Sequence, residues 1–169
     1  MNTKKIIITM QTGDVMEAEL YPEIAPKTVA NFVQLIEDGF FEGLIFHRVI
    51  KGFMIQGGGY DKDGNHKDAA TIKGEFASNG FENPLKHERG VLSMARTMVR
   101  DSASSQFFIM HQAAPHLDGS YAAFGRVLTG MEIVDAICAQ TPVTDYNGTV
   151  SRENQPVITS IRVLEEHVE

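Results

Sequence analysis

The stretch Phe46-His47-Arg48-Val49-Ile50-Lys51-Gly52-Phe53-Met54-Ile55-Gln56-Gly57-Gly58 holds the ends of two short apolar runs, Leu44 to Ile50 and Phe53 to Gln56, divided by Lys51-Gly52. Runs of this length bounded by glycine read as strands. Side chains alternate along a strand, so Arg48 shares a face with Phe46 and Ile50, and Gln56 shares one with Met54. An arginine between two large apolar residues is either an edge residue that reaches solvent along its stem or a cation held in a pocket. Composition by itself favours the first. A further run, Ser105-Gln106-Phe107-Phe108-Ile109-Met110, moves the balance, because Gln106, Phe108 and Met110 again set an amide beside apolar bulk on one face. Taken singly, Met54 and Phe108 read as core and each glutamine as outward-facing.

The surrounding pattern is mainly β. Lys4 to Met10 and Val15 to Tyr21 flank Gln11-Thr12-Gly13-Asp14, with Met16, Ala18 and Leu20 alternating against Glu17 and Glu19, which predicts a hairpin with one wet face. Pro26 opens a helical segment with Val29, Phe32, Val33 and Ile36 on one side, and Gly39 closes it. A second helix is predicted from Met131 to Ala139, with Ile133, Val134 and Ile137 at helical spacing. The other apolar runs are Val91 to Ala95, Ala122 to Leu128 and Val157 to Leu164. About eight strands and two helices without βαβ alternation predict an antiparallel barrel or sandwich whose open ends the helices cover. No repeat, linker or low-complexity segment divides the chain, so residues 1–169 are expected to form one domain. Tyr60 to Gly74 and Thr141 to Gln155 read as surface loops.

Composition excludes several classes. With 169 residues, 43% of them hydrophobic, the chain can bury roughly 70% of its unfolded surface and needs no disulfide or structural metal. Fifteen Lys and Arg against 22 Asp and Glu give a net charge of −7, and no basic cluster offers a track for phosphates, so no nucleic acid partner is expected. Cys138 is the single cysteine, which fits a reducing compartment and reads as a small buried hydrophobe on a helix. The apolar run Ile6 to Met10 is shorter than the core of a signal peptide, about 7 to 15 residues, and is read as the first strand. No stretch approaches the roughly 20 apolar residues that cross a bilayer, so the expectation is a soluble, cytoplasmic protein.

Several motifs fall away. In Gly57-Gly58-Gly59, Lys62 stands where a dinucleotide fingerprint needs its third glycine. Asp61, Asp63 and Asn65 imitate a calcium loop, but His66 and Ile72 occupy its glycine and glutamate positions. The histidines at 47, 66, 87, 111, 116 and 167 lack metal-ligand spacing, so neither metal nor cofactor is expected. Asn147-Gly148-Thr149 is a glycosylation sequon by pattern only, and no nucleophile motif is present.

In sequence order, Phe46 to Ile50, Gly52 to Gly58, Ser105 to Ile109, Leu117-Asp118-Gly119 and Phe124-Gly125-Arg126-Val127 resemble the successive signatures of the cyclophilins. Met94-Ala95-Arg96-Thr97 is similar to the compact bacterial members. The resemblance covers nearly the whole chain and implies a closed eight-stranded antiparallel barrel capped by two α-helices, with peptidyl-prolyl cis-trans isomerase activity. It implies that Arg48 is the catalytic arginine, held by Gln56. Phe53, Met54, Phe108 and Leu117 match the proline pocket, and Ala95 and Gln106 match the groove for the peptide backbone. His116 stands where a tryptophan is common and Tyr121 where a histidine is common; Tyr121 still offers a hydroxyl over the pocket. Arg96 and Thr97 replace an Asn-Ala pair, in a segment one residue longer. The partners implied are X-Pro peptides and unfolded or folding proteins, with cyclosporin binding weakened by the missing tryptophan, and a monomer is expected. Two rivals stay open: a proline-peptide binding module or holdase with incidental isomerase activity, and a barrel that holds a small ligand inside.

Overall fold

The computed structural model describes residues 3–164. The hairpin forms as the alternation requires: β1 (Lys4–Met10) pairs with β2 (Val15–Leu20), and Met16, Ala18 and Leu20 are fully buried while Glu17 and Glu19 face outward. Helix α1 (Pro26–Glu37) starts at its proline and buries Thr28, Val29, Phe32 and Ile36, with Val33 only partly covered. Its N-terminus is capped from a distance, since the Glu75 carboxylate accepts the Thr28 N–H and the Thr28 hydroxyl.

The short strands follow as β3 (Arg48–Ile50), β4 (Met54–Gly57), β5 (Val91–Met94), β6 (Phe107–Met110) and β7 (Ala123–Thr129). Helix α2 (Met131–Gln140) and β8 (Ile158–Val163) complete the chain. Helix α2 buries Val134 and Cys138 most deeply, leaving Ile133 and Ile137 half-buried. Helix α1 packs on β8, and α2 packs on β2 and β3.

One expectation fails. The strands form an antiparallel sheet in the order β3-β4-β6-β5-β7-β2-β1-β8, which is curled but open rather than a closed barrel. Among the described residues no ladder joins β3 to β8. The reason is local: β3 is three residues long, and residues 147–150 occupy its outer edge. Val49 N–H donates to Gly148 O (2.8 Å) and Val150 N–H to His47 O (3.1 Å). Before β3 the chain meets the start of β8 through an isolated bridge, Ile45 opposite Val157, with Phe46 N–H donating to Pro156 O, Ile158 N–H to Leu44 O and Gly43 N–H to Ile158 O.

The late start of β3 also breaks the alternation expected for Arg48. Phe46 lies outside the ladder and turns inward against Phe107 (ring centroids 5.8 Å), so Arg48 shares its face with Ile50 but not with Phe46. Inside the curl, Phe32 sits at the centre of a cluster with Phe41, Phe107 and Phe124, at centroid separations of 4.9, 5.2 and 5.0 Å. These rings fill the space that a ligand-holding barrel would keep open.

A second apolar cluster lies on the other face of the same strands. Met54, Val91, Phe108, Met110, Ala114, Leu117 and Ala123 are buried there, with Phe53, Ala95 and Tyr121 packed at its margin. Gly58 lets the chain leaving β4 pass close to the segment entering β6: it adopts φ +88°, and a Cβ would stand 2.8 Å from Ser105 O.

Candidate active site

Residues directly opposite on paired strands present their side chains on the same face. Pairing places Arg48 opposite Gln56, Gln56 opposite Phe108, and Phe108 opposite Ser93, so one row crosses four strands on the outer face. The adjacent row, Ile50, Met54 and Met110, is apolar. A guanidinium is thus set beside a hydrophobic floor by register alone.

Side-chain hydrogen bonds then fix the guanidinium. Arg48 Nη1 donates to Gln56 Oε1 (3.2 Å), and Gln56 Nε2 donates onward to Gln106 Oε1 (3.0 Å). From the other side, Arg48 Nε donates to Asn147 O (2.7 Å) and Nη2 to Asn147 Oδ1 (2.8 Å). Three of the five guanidinium N–H groups are engaged and two remain for a ligand.

Next to this cation opens a cavity of about 340 Å³. Ten of the sequence-derived residues line it: Arg48, Phe53, Met54, Gln56, Ala95, Arg96, Phe108, His116, Leu117 and Tyr121. The eleventh, Gln106, lines an adjoining recess of about 140 Å³ that shares Gln56, Ala95 and Arg96 with the first and adds Thr97, Ser102 and Ser104. Met54, Phe108 and Leu117 are the buried floor, and Phe53 stands half-exposed with its ring 5.8 Å from that of His116. Tyr121 meets Phe108 edge-on at 5.8 Å.

Arg96 forms part of the wall as a fixed strut. Its guanidinium lies between the Phe76 and Tyr121 rings, 4.7 and 4.8 Å from their centroids. Nε and Nη2 both donate to Ser120 O and Nη1 donates to Thr97 O. The longer segment beyond it is self-supporting, since Thr97 N–H and its hydroxyl both donate to Ser102 Oγ, which donates to Val99 O.

Three participants were not legible beforehand. Asn147 belongs to the sequon dismissed above, 99 residues from its partner, and no spacing signal connects the two. His87 and Ser93 lie under the floor: the His87 ring stacks on Phe108 (6.0 Å, 20°), its Nδ1–H meets Asp118 Oδ1 (3.0 Å) and its Nε2 accepts the Ser93 hydroxyl (2.8 Å). Burial lowers the His87 pKa and outweighs Asp118, so the ring stays neutral and bridges the other two. Burial pushes the Asp118 carboxyl up, but the hydrogen bonds from the His87 backbone and ring outweigh it and hold the group below its usual range. The line Asp118-His87-Ser93 has the order of a nucleophile relay. Ser93 is fully buried, however, so the line braces the floor and attacks nothing. Among the other histidines, His47 lies one residue from Arg48 with its pKa lowered to about 4 by burial and by the charges of Arg48 and His66. His167 lies outside the described residues.

The chain is similar to known proteins along most of its length. The profile described as "Cyclophilin type peptidyl-prolyl cis-trans isomerase/CLD" matches residues 6–165. Peptidyl-prolyl cis-trans isomerase B of Bacillus subtilis is 48% identical over 123 residues, 73% of this chain and 82% of the relative. The peptidyl-prolyl cis-trans isomerase of Acinetobacter baylyi is 44% identical over 155 residues, covering 88% of this chain and 79% of the relative. A Cryptosporidium parvum cyclophilin solved in the presence of the dipeptide Ala-Pro superposes with a TM-score of 0.77 at 28% identity, over 96% of this chain and 99% of that one. The chain therefore belongs to the cyclophilin-type peptidyl-prolyl cis-trans isomerases and acts on X-Pro bonds in proteins.

Proposed function

We propose that Arg48 drives the isomerisation by donating a hydrogen bond to the prolyl nitrogen as the X-Pro amide twists. The planar amide is held by resonance behind a barrier of roughly 18–20 kcal/mol, and rotation takes tens to hundreds of seconds unaided. At the top of that barrier the prolyl nitrogen regains its lone pair, and a donor aimed there binds the twisted state more strongly than the planar one. The observation that carries this reading is the double grip on Arg48 by Gln56 and Asn147, which leaves free N–H groups at the edge of an apolar cavity. Lysine lacks the planar fork that such a grip needs.

The cavity supplies the second part. The twisted amide is less polar than the planar one, so a dry floor of Met54, Phe108 and Leu117 favours it over water, while the Phe53 wall encloses the prolyl ring in either state. Tyr121 and His116 close the rim, while Ala95, Arg96 and Gln106 border the groove along which the peptide backbone lies. Reaching a turnover of about 10³ per second from an unaided rate near 10⁻² requires about 7 kcal/mol. One well-placed electrostatic donor supplies about 2.7–4 kcal/mol, leaving the rest to desolvation and to holding the peptide ready to twist. The Cryptosporidium parvum structure described with Ala-Pro supports a proline dipeptide as the minimal recognised unit.

The test is NMR exchange spectroscopy on an Ala-Pro peptide with catalytic amounts of protein. Arg48→Ala is expected to slow exchange at least tenfold while leaving the fold intact; near-normal exchange would sink the proposal. Rescue of a proline-limited refolding reaction by wild type but not by Arg48→Ala would separate catalysis from holdase action. We propose further that the protein acts as a cytoplasmic monomer on unfolded and folding chains. Because the smaller His116 ring stands at the rim, cyclosporin should inhibit weakly, and His116→Trp should tighten it in a competition assay. Sedimentation at working concentration checks the oligomeric state.

A further inference from the structure

A chain of contacts outside the cavity ends on its wall. The turn Lys51-Gly52-Phe53 joins β3 to β4 and sets Phe53 on the cavity wall from outside the strand ladders. Gly52 has φ +83°, and its N–H donates to His111 Nδ1 at 2.9 Å. His111 follows β6 directly, and its own backbone N–H donates to Phe53 O at 2.8 Å. One residue thus holds the turn by both its ring and its main chain.

The ring is itself oriented. His111 Nε2 lies 3.1 Å from Asp135 Oδ1, on α2, and Asp135 receives a two-pronged contact from Arg89, Nη1 and Nη2 at 2.7 Å each. Arg89 Nη1 also donates to His111 O at 3.1 Å. The imidazole side chain is only 10% exposed, so water competes weakly for either nitrogen. A carboxylate at Nε2 selects the tautomer with its proton there, which leaves Nδ1 as an acceptor aimed at the Gly52 N–H. None of these three side chains touches the cavity.

We infer that His111 is a positioning residue for substrate binding, which locks the Gly52-Phe53 turn so that the Phe53 ring holds its place on the cavity wall beside His116. Asp135 orients it from α2, and Arg89, in the turn before β5, braces Asp135. The proposal rests on the isomerase reading of the cavity. Its consequence is specific to binding: the prolyl ring is enclosed in the planar and the twisted state alike, so loosening the wall weakens both about equally. KM should rise and kcat should hold, the opposite of what removal of the guanidinium does.

The test measures kcat and KM on an Ala-Pro peptide for wild type, His111→Leu and His111→Asn, with the Gly52 amide resonance followed in the free proteins. His111→Leu is expected to raise KM about three- to tenfold, the share that one ordinary hydrogen bond carries, with kcat nearly unchanged. His111→Asn keeps an acceptor close to the position of Nδ1 and should recover most of the KM and the Gly52 chemical shift. A folded His111→Leu with wild-type KM, or an Asn variant as impaired as the Leu variant, would overturn the inference. So would a fall in kcat alone, which marks loss of folded protein. If His111→Leu does not fold, Asp135→Ala takes its place. It frees the imidazole without removing it and should displace the Gly52 resonance and raise KM; no change in either overturns the inference. An inactive wild type would strike instead at the isomerase reading beneath it.

Discussion

The strands β3, β4, β6 and β5 carry two rows of side chains one residue apart, and the rows have opposite chemistry. The inner row, Val49, Ile55, Ile109 and Leu92, is buried in the main core. The outer row, Arg48, Gln56, Phe108 and Ser93, runs from a half-exposed cation to a fully buried hydroxyl. The inner row tolerates only apolar groups, because no hydrogen-bonding partner reaches it. The outer row accepts polar groups because loops supply partners: Asn147 for Arg48, and His87 for Ser93. Stability and chemistry are thus separated by the pleat of one sheet, a distance of one residue.

Neighbouring substitutions test that separation. The largest effect is expected for Phe107→Ala, which removes a fully buried ring in contact with Phe32, Phe41 and Phe46. A loss of about 3–5 kcal/mol is expected in denaturant titration. Phe108→Ala, one residue along, should cost less stability because its ring borders a cavity on one side, yet it should depress kcat/KM more than the surviving folded fraction of Phe107→Ala does. Equal activity losses per folded molecule would erase the distinction between faces.

Smaller effects follow on the outer row. Asn147→Ala removes only the side-chain half of the grip on Arg48, since the contact to Asn147 O is to backbone. A fall in kcat of about three- to tenfold with KM little changed is expected, as one hydrogen bond to a charged group is loosened. Unchanged kcat would show that Gln56 and the backbone carbonyl of residue 147 suffice to orient the guanidinium. A separate effect, seen only on acidification, concerns His47, whose folded-state pKa of about 4 lies below its unfolded value of about 6.5. The unfolded chain takes up the proton first, so this contribution to stability is present above about pH 6.5 and is lost as pH falls toward 4. His47→Gln should flatten that part of the stability profile; an identical slope in the variant would assign the acid sensitivity elsewhere.

Much of this division is legible in the sequence because it depends on alternation and register. Met54 and Gln56, and Gln106, Phe108 and Met110, announce an outer face by period alone, and the family's motifs then gather the cavity residues. Phe46 defeats the same rule, because alternation holds only inside a ladder and the ladder begins at Arg48. Asn147 and His87 are invisible for another reason. Asn147 meets Arg48 across 99 residues, and His87, in a loop, meets Ser93 and Asp118 at separations of 6 and 31, spacings that leave no periodic trace. The open sheet was equally hidden, since closure depends on which segment reaches a three-residue edge first.

The seam left by that open sheet joins two tasks in one short segment. Residues 147–150 both cover the outer edge of β3 and hold Arg48 through Asn147. The segment lies between long exposed loop residues, with Tyr146 wholly exposed, so its fluctuations are expected to open locally long before the phenylalanine core yields. On heating, the enzyme should therefore fall silent while most of its sheet still stands, its working temperature set by a four-residue clasp rather than by the melting of the whole.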